Sequence, residues 1–377
     1  MTGRVLLFFC ILGGALGASA QSLLQGRLTD AATGRPVPYV NIGVVGKALG
    51  TVTDADGQYE LWVRPGQVEP ADLLRISSLG YRPVSLPWDQ LPADGRWSVA
   101  LEPEAIALDE VVVSRLPQYT LEEMVGYPLQ DTWDLAYWKD SLALGAELAA
   151  RVPVNRGMRR LNTLFFNVRE NAADSVLLRI NIYRPEAKDS PGQHLNTSGM
   201  GIRHMLPGGA REVVVDLEPY AIWVEDDFYL SLELLAVYGS PTIALALPAS
   251  QEIGGDTYRR YASQGKWERI GAHTLGFYLQ TTLYSDNPRK VRNRSVERFR
   301  ARNQAPVSGF VFYGRQGLPE VRVENLNTRK ETRTDARGRY RILAAAGDLL
   351  RFTRQGRPPL ILRLEKPGTL TVNLRGQ

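Results

Sequence analysis

The feature that most restricts the fold is a sequence pattern that occurs twice, once near each end of the chain. The corresponding stretches are 53–59 with 334–340 and 37–42 with 318–323, and they follow a glycine at similar distances, Gly26 or Gly309. Self-similarity of this kind indicates a repeated structural unit. We therefore predict two small modules of the same fold, at residues 21–113 and 305–377, on either side of a middle region.

Each copy contains a turn signal rich in Asp and Gly between two apolar runs. In a tight turn an Asp side chain accepts hydrogen bonds from backbone N–H groups, and a Gly adopts a positive φ. We assign these turn roles to Asp54, Asp56, Gly57, Asp335 and Gly338. A Ca²⁺ site is the alternative for the first turn, with Glu60 as a third ligand beside its two aspartates.

The spacing of apolar residues predicts an all-β fold. Short apolar runs separated by turn residues fill 22–102, which is typical of a β-sandwich. The region 145–288 contains longer runs in which polar and apolar residues alternate, as in Arg179-Ile180-Asn181-Ile182-Tyr183. Seven or eight such strands predict a central jelly-roll-like β-sandwich. A connector at 114–144 precedes it.

Candidate helices are confined to that connector and its end. We expect helices around 121–125 and 141–150, where no strong alternation is present. The predicted architecture is therefore two small β-sandwich modules that flank a larger one, with a short, partly helical connector between the first two units.

The N-terminus has the order of a cleavable signal peptide. Arg4 precedes an apolar stretch at 5–16, and Ala18-Ser19-Ala20 follow. We predict a signal peptide at 1–20 and export to the periplasm, the outer-membrane surface or the extracellular medium. The only cysteine, Cys10, lies inside this peptide, so the exported chain is expected to have no disulfide. Beyond it we predict no transmembrane segment.

Charge is distributed unevenly along the chain, although the net charge is only +5. Residues 289–377 contain 21 Lys+Arg and 7 Asp+Glu, and the densest part is a basic linker at 289–304. Such a segment attracts an anionic envelope polysaccharide or the acidic face of another protein, while a solvated linker is the alternative. Nucleic acid is not expected as a partner, because an exported protein does not meet it in the cytoplasm and no recognition motif accompanies the charge.

A set of residues in the first module links it to a known family. They are Gly26, Asp30, Gly34, and the stretches 36–40, 50–59 and 76–81. Together they resemble the carboxypeptidase regulatory-like domain, a transthyretin-like (prealbumin-like) β-sandwich with a non-catalytic accessory role. The stretch 108–113 resembles a segment that follows this domain in many TonB-dependent outer-membrane receptors of Gram-negative bacteria. The resemblance implies transthyretin-like folds for both flanking modules.

Catalytic motifs were sought separately, because the family name invites a peptidase interpretation. A zinc carboxypeptidase needs His-x-x-Glu, but the three histidines, His194, His204 and His273, are followed three positions later by Thr197, Pro207 and Gly276. No metalloprotease, serine hydrolase or nucleotide-binding motif occurs either. We predict no catalytic residue, no metal and no cofactor.

Two alternatives concern the middle region. A glycosidase needs two facing carboxylates, and the candidates are Glu225, Asp226, Asp227, Glu233, Glu252 and Asp256. A sugar-binding domain uses exposed aromatic rings that stack on sugars, and we single out Trp223 and Trp267 for that role.

The sequence thus predicts an exported, non-catalytic binding or interaction protein of the cell envelope, with carbohydrate as a candidate ligand. Its expected partners are an envelope polysaccharide or an outer-membrane protein. The alternatives are a carbohydrate-active hydrolase that uses carboxylates of the central sandwich, and a soluble partner of a TonB-dependent uptake system.

Overall fold

The computed structural model describes most of the chain. The described residues are 22–104, 117–129, 132, 134–138 (backbone only), 144–186, 190–239, 245–251, 255–271, 273–287, 304–357 and 359–374. The predicted signal peptide, the stretch 108–113 and nearly all of the basic linker lie outside them. Within these residues the chain is built of strands, and the only helical turns are 3-10 turns at Trp88–Gln90 and Glu218–Tyr220. The all-β prediction is confirmed.

The N-terminal module consists of two small sheets packed face to face. Its strands are β1 Ser22–Asp30, β2 Asn41–Val44, β3 Gly50–Val52, β4 Gln58–Val63, β5 Leu73–Ser77, β6 Val84–Pro87 and β7 Val99–Leu101. One sheet has the order β4-β1-β7 and the other β3-β2-β5-β6. Strand β4 alternates between exposed and buried residues, so that one face of each sheet packs into a core that includes Leu28, Ile42 and Ile76.

The central sandwich is larger. Its strands are β8 Tyr119–Gly126, β9 Asp134–Trp138, β10 Glu147–Val152, β11 Arg159–Asn167, β12 Glu170–Asn171, β13 Ser175–Pro185, β14 Pro191–His194, β15 Ile202–Pro207, β16 Glu212–Asp216, β17 Trp223–Val224, β18 Phe228–Tyr238, β19 Leu245–Ser250, β20 Thr257–Arg260, β21 Glu268–Arg269, β22 Thr274–Leu275 and β23 Phe277–Ser285. The principal sheets are β14-β13-β18-β10-β20-β21, with β15 beside β13, and β16-β11-β23-β8, with β17 beside β11. A smaller sheet, β12-β19-β22 with β9, lies beside them. Their inner faces form one apolar core.

The C-terminal module repeats the strand order of the first. Its strands are β24 Ala305–Tyr313, β25 Gln316–Gly317, β26 Arg322–Asn325, β27 Glu331–Arg333, β28 Arg339–Ala344, β29 Leu349–Thr353, β30 Leu360–Arg363 and β31 Val372–Asn373. The sheet β27-β26-β29-β30 corresponds to β3-β2-β5-β6. Strand β24 pairs antiparallel with β28 and parallel with β31, as β1 does with β4 and β7.

Side-chain hydrogen bonds recur at equivalent positions in the two modules. The Tyr59 hydroxyl donates to the carbonyl of Trp97 at 2.7 Å, and the Tyr340 hydroxyl donates to Leu370 at the same distance. A Cβ atom at Gly26 would collide with that Trp97 carbonyl oxygen. A Cβ atom at Gly309 would likewise collide with the Leu370 carbonyl oxygen. Both positions require glycine because a neighbouring backbone lies against them, which explains why a glycine precedes each copy of the pattern.

In the described residues neither predicted helix is formed, and both stretches contribute to strands, which corrects the expectation of helices at 121–125 and 141–150. The 121–125 stretch lies in β8, which pairs along its whole length with β23. The second stretch overlaps β10, which lies between β18 and β20. Leu, Glu and Met favour helices, but ladder hydrogen bonds and burial against a sheet outweigh such weak preferences.

Candidate functional site

A cavity of about 1110 Å³ lies between the N-terminal module and the central sandwich. Strands β2 and β5 with the segment after β5 form one wall, and strands β13–β15 with the segment after β20 form the other. Ligand sites concentrate at such boundaries between folded units. This cavity is therefore the candidate functional site.

The walls are polar because of the alternation along the strands. On β13, Ile180 and Ile182 point into the core of the sandwich, so Arg179, Asn181 and Tyr183 lie on the opposite face. On the module side, Ile42 and Ile76 fill the module core, which leaves their polar neighbours on the outer face. The cavity lies where these two polar faces meet.

Small residues hold the two units together beside the cavity. The Gln264 side chain donates to the Ser77 hydroxyl at 2.9 Å, and the Gln264 carbonyl accepts the Gly46 N–H at 2.9 Å. A Cβ atom at Gly43 would lie 3.1 Å from the Gln264 side chain. The absence of side chains on this part of β2 allows close contact. Arg179 also crosses the interface, where it donates to the Tyr39 carbonyl and to the Asn41 side chain.

A row of five charged residues crosses the central sheet on the face toward the module. Cross-strand pairing sets the order as Arg260 on β20, Glu147 on β10, Glu233 on β18, Arg179 on β13 and Arg203 on β15. Residues directly opposite each other on neighbouring strands lie close enough for their side chains to interact. The row thus brings together charges that are far apart in the sequence.

Glu147 is fully buried and has three described side-chain partners. Its carboxylate accepts hydrogen bonds from Ser231 at 2.6 Å and from Tyr183 at 2.9 Å, and forms an ion pair with Arg260. Burial by itself raises the pKa of Glu147. The Arg260 charge and these hydrogen bonds together outweigh burial, so the pKa of Glu147 lies below the ordinary value. Glu147 is ionised at neutral pH.

Glu233, its cross-strand neighbour, is held less completely. Its Oε2 accepts from Asn181 at 2.9 Å and lies 3.3 Å from the Arg179 guanidinium, while its Oε1 has no partner among the described residues. Burial and the charge of Glu147 raise the pKa of Glu233 above its ordinary value, and the charge of Arg179 offsets this only in part. Neither glutamate carboxylate lines the cavity, and both lie beneath its wall.

Aromatic rings form one end of the cavity. The Trp267 ring lies edge-on to Tyr183 at 5.9 Å, and the Arg260 guanidinium lies 4.6 Å from the centre of the Trp267 ring. The His194 ring lies 4.4 Å from Tyr183, and His194 is exposed. Trp267 is half-buried and lines the cavity. An indole held in this way offers a rigid apolar surface to a ligand.

The structure brings only some of the predicted residues to this site. Trp267 lines the cavity and Glu233 lies beneath it, whereas Trp223 packs against Tyr284 at 5.1 Å and does not line the cavity. Glu225 is exposed, and Asp226 lies 3.6 Å from Arg156.

Two further predicted carboxylates surround Arg151. Asp227 lies 3.0 Å from its guanidinium and accepts the Val154 N–H at 2.8 Å. Asp256 lies 3.6 Å from Arg151 and 2.5 Å from Arg269. Neither aspartate lines the cavity, and Glu252 is outside the described residues.

The assigned turn residues lie in tight turns before β4 and β28. Asp54 Oδ1 accepts the N–H groups of Asp56 and Gln58 at 2.9 and 2.8 Å. Gly57 and Gly338 adopt φ values of 72° and 79°.

Asp335 accepts two N–H groups at the same two distances, so the two turns are alike. Within the described part of the chain, no group of three or more His, Cys, Asp or Glu side chains is arranged to hold a metal ion.

The other two histidines lie outside the cavity. Burial lowers the pKa of His204, which lies on β15, to about 4. His273 contacts Gln251, with 2.8 Å between the side-chain nitrogens. In the described part of the chain, no helix has the length and apolar character that are needed to cross a membrane.

The sequence analysis missed Glu147, Arg179, Arg260 and Tyr183 as members of a site. The polar positions of the alternating stretch at 179–183 were the available signal, since they mark one face of a strand. The register between strands decides which charges meet, and a single sequence does not give it.

Comparison with known proteins identifies the first module. The CarboxypepD_reg-like domain family matches residues 24–113. The TonB-dependent receptor SusC of Bacteroides thetaiotaomicron is 32% identical over 112 residues, which are 30% of this chain and 10% of the receptor. The TonB-dependent receptor P39 of Formosa agariphila is 32% identical over 108 residues, 29% of this chain and 10% of the receptor. The chain thus matches only about a tenth of the length of either receptor.

Solved structures resemble the chain only distantly. The cysteine protease and lectin-like domains of Cwp84, a surface layer associated protein of Clostridium difficile, give a TM-score of 0.32 at 9% identity, covering 66% of this chain and 59% of that one. The major pilin subunit BcpA of Bacillus cereus gives 0.16 at 9% identity, covering 94% and 100%. Likenesses at this level carry no argument about function. The family match is more specific, because it shows that the first module is similar to the CarboxypepD_reg-like domain over residues 24–113.

Proposed function

We propose that the protein is an exported, non-catalytic binding protein of the cell envelope, and that it holds a carbohydrate in the cavity between its first module and the central sandwich. The signal-peptide pattern of the sequence supports export. The similarity of the first module to part of two TonB-dependent receptors supports a location at the envelope.

The observation that carries the proposal is the Trp267 ring at the wall of a large cavity whose surface is partly polar and partly apolar. Sugars have apolar ring faces and polar hydroxyl edges, and amphipathic aromatic side chains suit such ligands. The cavity, at about 1110 Å³, is slightly larger than the usual range for small-molecule sites. Amide and hydroxyl side chains, including Gln264 and Ser78, line the same space.

The arrangement of carboxylates favours binding over hydrolysis. A glycosidase places two carboxyl groups on either side of the bond that it cleaves. Glu147 and Glu233 are adjacent across two strands, but both are fully buried and engaged by arginines. Among the described residues that line the cavity, Glu186 supplies the only carboxylate.

A second candidate function is that of a soluble partner in a TonB-dependent uptake system. The 32% identity to the SusC receptor favours it. The two candidates are compatible, because a binding protein can deliver its ligand to a receptor.

The test is a glycan array followed by calorimetry on residues 21–377. We expect a bound glycan whose affinity falls at least about tenfold in Trp267→Ala, as loss of an aromatic anchor predicts. Trp223→Ala is the matched control, because that ring packs outside the cavity, and it should bind like the unmodified chain. An equal loss of glycan affinity in the two variants would contradict the proposal, and so would the release of cleaved sugar products.

A further inference from the structure

Two arginines that line the cavity have no carboxylate partner among the described residues. Arg75 lies on β5 of the first module and is exposed. Arg203 lies on β15 of the central sandwich, and its guanidinium is 5.2 Å from the centre of the Tyr39 ring. The two residues come from opposite walls, so a ligand between the walls has access to both.

The other arginines at the cavity are neutralised. Arg179 lies against the buried Glu233 and Arg260 against the buried Glu147. Glu186 is the only acidic residue of the described lining. Arg75 and Arg203 therefore leave the cavity with an excess of positive charge, which favours an anionic ligand.

The duplicated module shows which partner this position accepts. Arg75 pairs across strands with Gly43, and Arg351 occupies the equivalent place on β29, opposite Glu324. The Arg351 guanidinium lies 2.8 Å from Glu218 and 3.4 Å from Asp216 of the central sandwich. In the second copy, an arginine at this position thus binds carboxylates across the interface. In the first copy the corresponding space is the cavity.

Resting on the proposed carbohydrate function, we propose that the ligand is an acidic saccharide and that Arg75 and Arg203 bind its carboxylate. A guanidinium donates two parallel N–H bonds to a planar carboxylate, so it recognises both the charge and the orientation of that group. Trp267 supplies the apolar surface for the sugar ring. The saccharide class is one with uronic acid units.

The experiment compares three ligands by calorimetry on residues 21–377: trigalacturonic acid, its neutral methyl ester and a sulfated galactotriose. We expect trigalacturonic acid to bind most tightly. Arg75→Gln should weaken its binding about tenfold or more, the size of one lost charge-assisted hydrogen bond. The same variant should change binding of the methyl ester less than threefold.

Controls separate a specific contact from general charge. Arg64→Gln removes an exposed arginine of the same module that does not line the cavity, and it should leave acid binding unchanged. Arg203→Gln provides a second test from the opposite wall, with thermal unfolding to verify that each variant is folded.

The outcomes discriminate between the two proposals. Equal binding of acid and ester, with both dependent on Trp267, would overturn the acidic ligand and leave the carbohydrate site standing. Tighter binding of the sulfated sugar would overturn the assignment of a carboxylate. No binding by any of the three would overturn the acidic ligand, while the carbohydrate proposal would fail only if the glycan array also found no bound sugar.

Discussion

The two flanking modules share one strand order but contact the central sandwich in different ways. At the C-terminal interface, Phe165 and Tyr278 stack at 5.0 Å and pack with Leu326, Leu349 and Ile361 of the module. At the N-terminal interface, Val52 of the module packs with Leu177 and Leu235 of the central sandwich, and beside this contact the corresponding sheet meets a polar face and encloses a cavity. The comparison teaches that the same scaffold either docks tightly or encloses a site, depending on the residues that its outer sheet presents.

Ion pairs show the same contrast. Arg351 and Arg329 of the second module contact Glu218, and Arg329 also lies 3.1 Å from Glu122. These carboxylates belong to the central sandwich and satisfy the module's arginines. In the first module, Arg75 has no such partner among the described residues, so its interface retains unused binding capacity.

The largest expected effect tests whether the C-terminal interface is the tighter one. Phe165→Ala should lower the free energy of unfolding by about 3–5 kcal/mol, because Phe165 is fully buried. Trp267→Ala should cost only about 1 kcal/mol, since that ring is half-buried and loses one aromatic contact. Guanidinium unfolding measures both, with Phe165→Leu as the conservative control. Equal losses for Phe165→Ala and Trp267→Ala would remove the distinction between the interfaces.

The second prediction tests the equivalence of the modules themselves. Thr53 accepts the Val40 N–H at 2.8 Å and donates to Val37, and Thr334 accepts the Val321 N–H at 2.9 Å in the same way. Replacing either threonine by Val leaves a buried N–H without an acceptor, which costs about 1–3 kcal/mol.

We expect Thr53→Val and Thr334→Val to lower stability by similar amounts, and Thr197→Val, at an exposed site, to have little effect. Chemical unfolding checks this. A large loss of stability from only one of the two threonine substitutions would mean that the equivalent hydrogen bonds do not stabilise the two modules equally.

The third prediction concerns pH at the C-terminal interface. Burial raises the pKa of Glu218, but Arg351 and Arg329 lower it more, so its pKa in the folded chain is below the ordinary 4.5. Such a group stabilises the fold above its unfolded pKa, and this contribution is lost as the pH falls through the folded value.

Glu218→Gln should therefore be less stable than the unmodified chain at pH 7, by about 1 kcal/mol, and the difference should narrow below pH 4.5. Denaturant unfolding at pH 7 and pH 3.5 measures it, with Glu320→Gln at an exposed ion pair as control. A gap that widens in acid would have the wrong sign.

The smallest effect is expected at the rim of the same interface. Arg329 is 45% exposed, and exposed ion pairs contribute about 0–1 kcal/mol. Arg329→Gln should therefore lower the free energy of unfolding by no more than about 1 kcal/mol. This difference from the unmodified chain should disappear in 1 M salt. Thermal unfolding at two salt concentrations checks it. A loss that is large and independent of salt would mean that Arg329 acts through packing.

Much of the fold follows from local sequence signals. The turn residues Asp54 and Gly57, and their counterparts Asp335 and Gly338, fix local geometry without help from distant residues. The strands follow because apolar residues alternate along them. The duplicated pattern corresponds to equivalent hydrogen bonds at Tyr59 and Tyr340, because these bonds lie within one module.

The wrong helix prediction and the missed site residues have the same cause. The 121–125 stretch has residues that favour a helix, yet pairing with β23 makes it a strand. Likewise, Glu147 and Glu233 become neighbours only through the register of β10 and β18. Long-range pairing decides both cases. Trp267 could be singled out from its residue type, but its difference from Trp223 depends on which tryptophan lies at the boundary between the units.

The strand pairing has a consequence for how the chain acquires its structure. In each unit the first described strand pairs with the last: β1 with β7, β8 with β23, and β24 with β31. Such contacts have high sequence separation, which slows folding. Each unit can therefore complete its fold only when its last strand is available. Loss of that strand would remove a hydrogen-bonded neighbour from the first strand of the same unit and expose its edge.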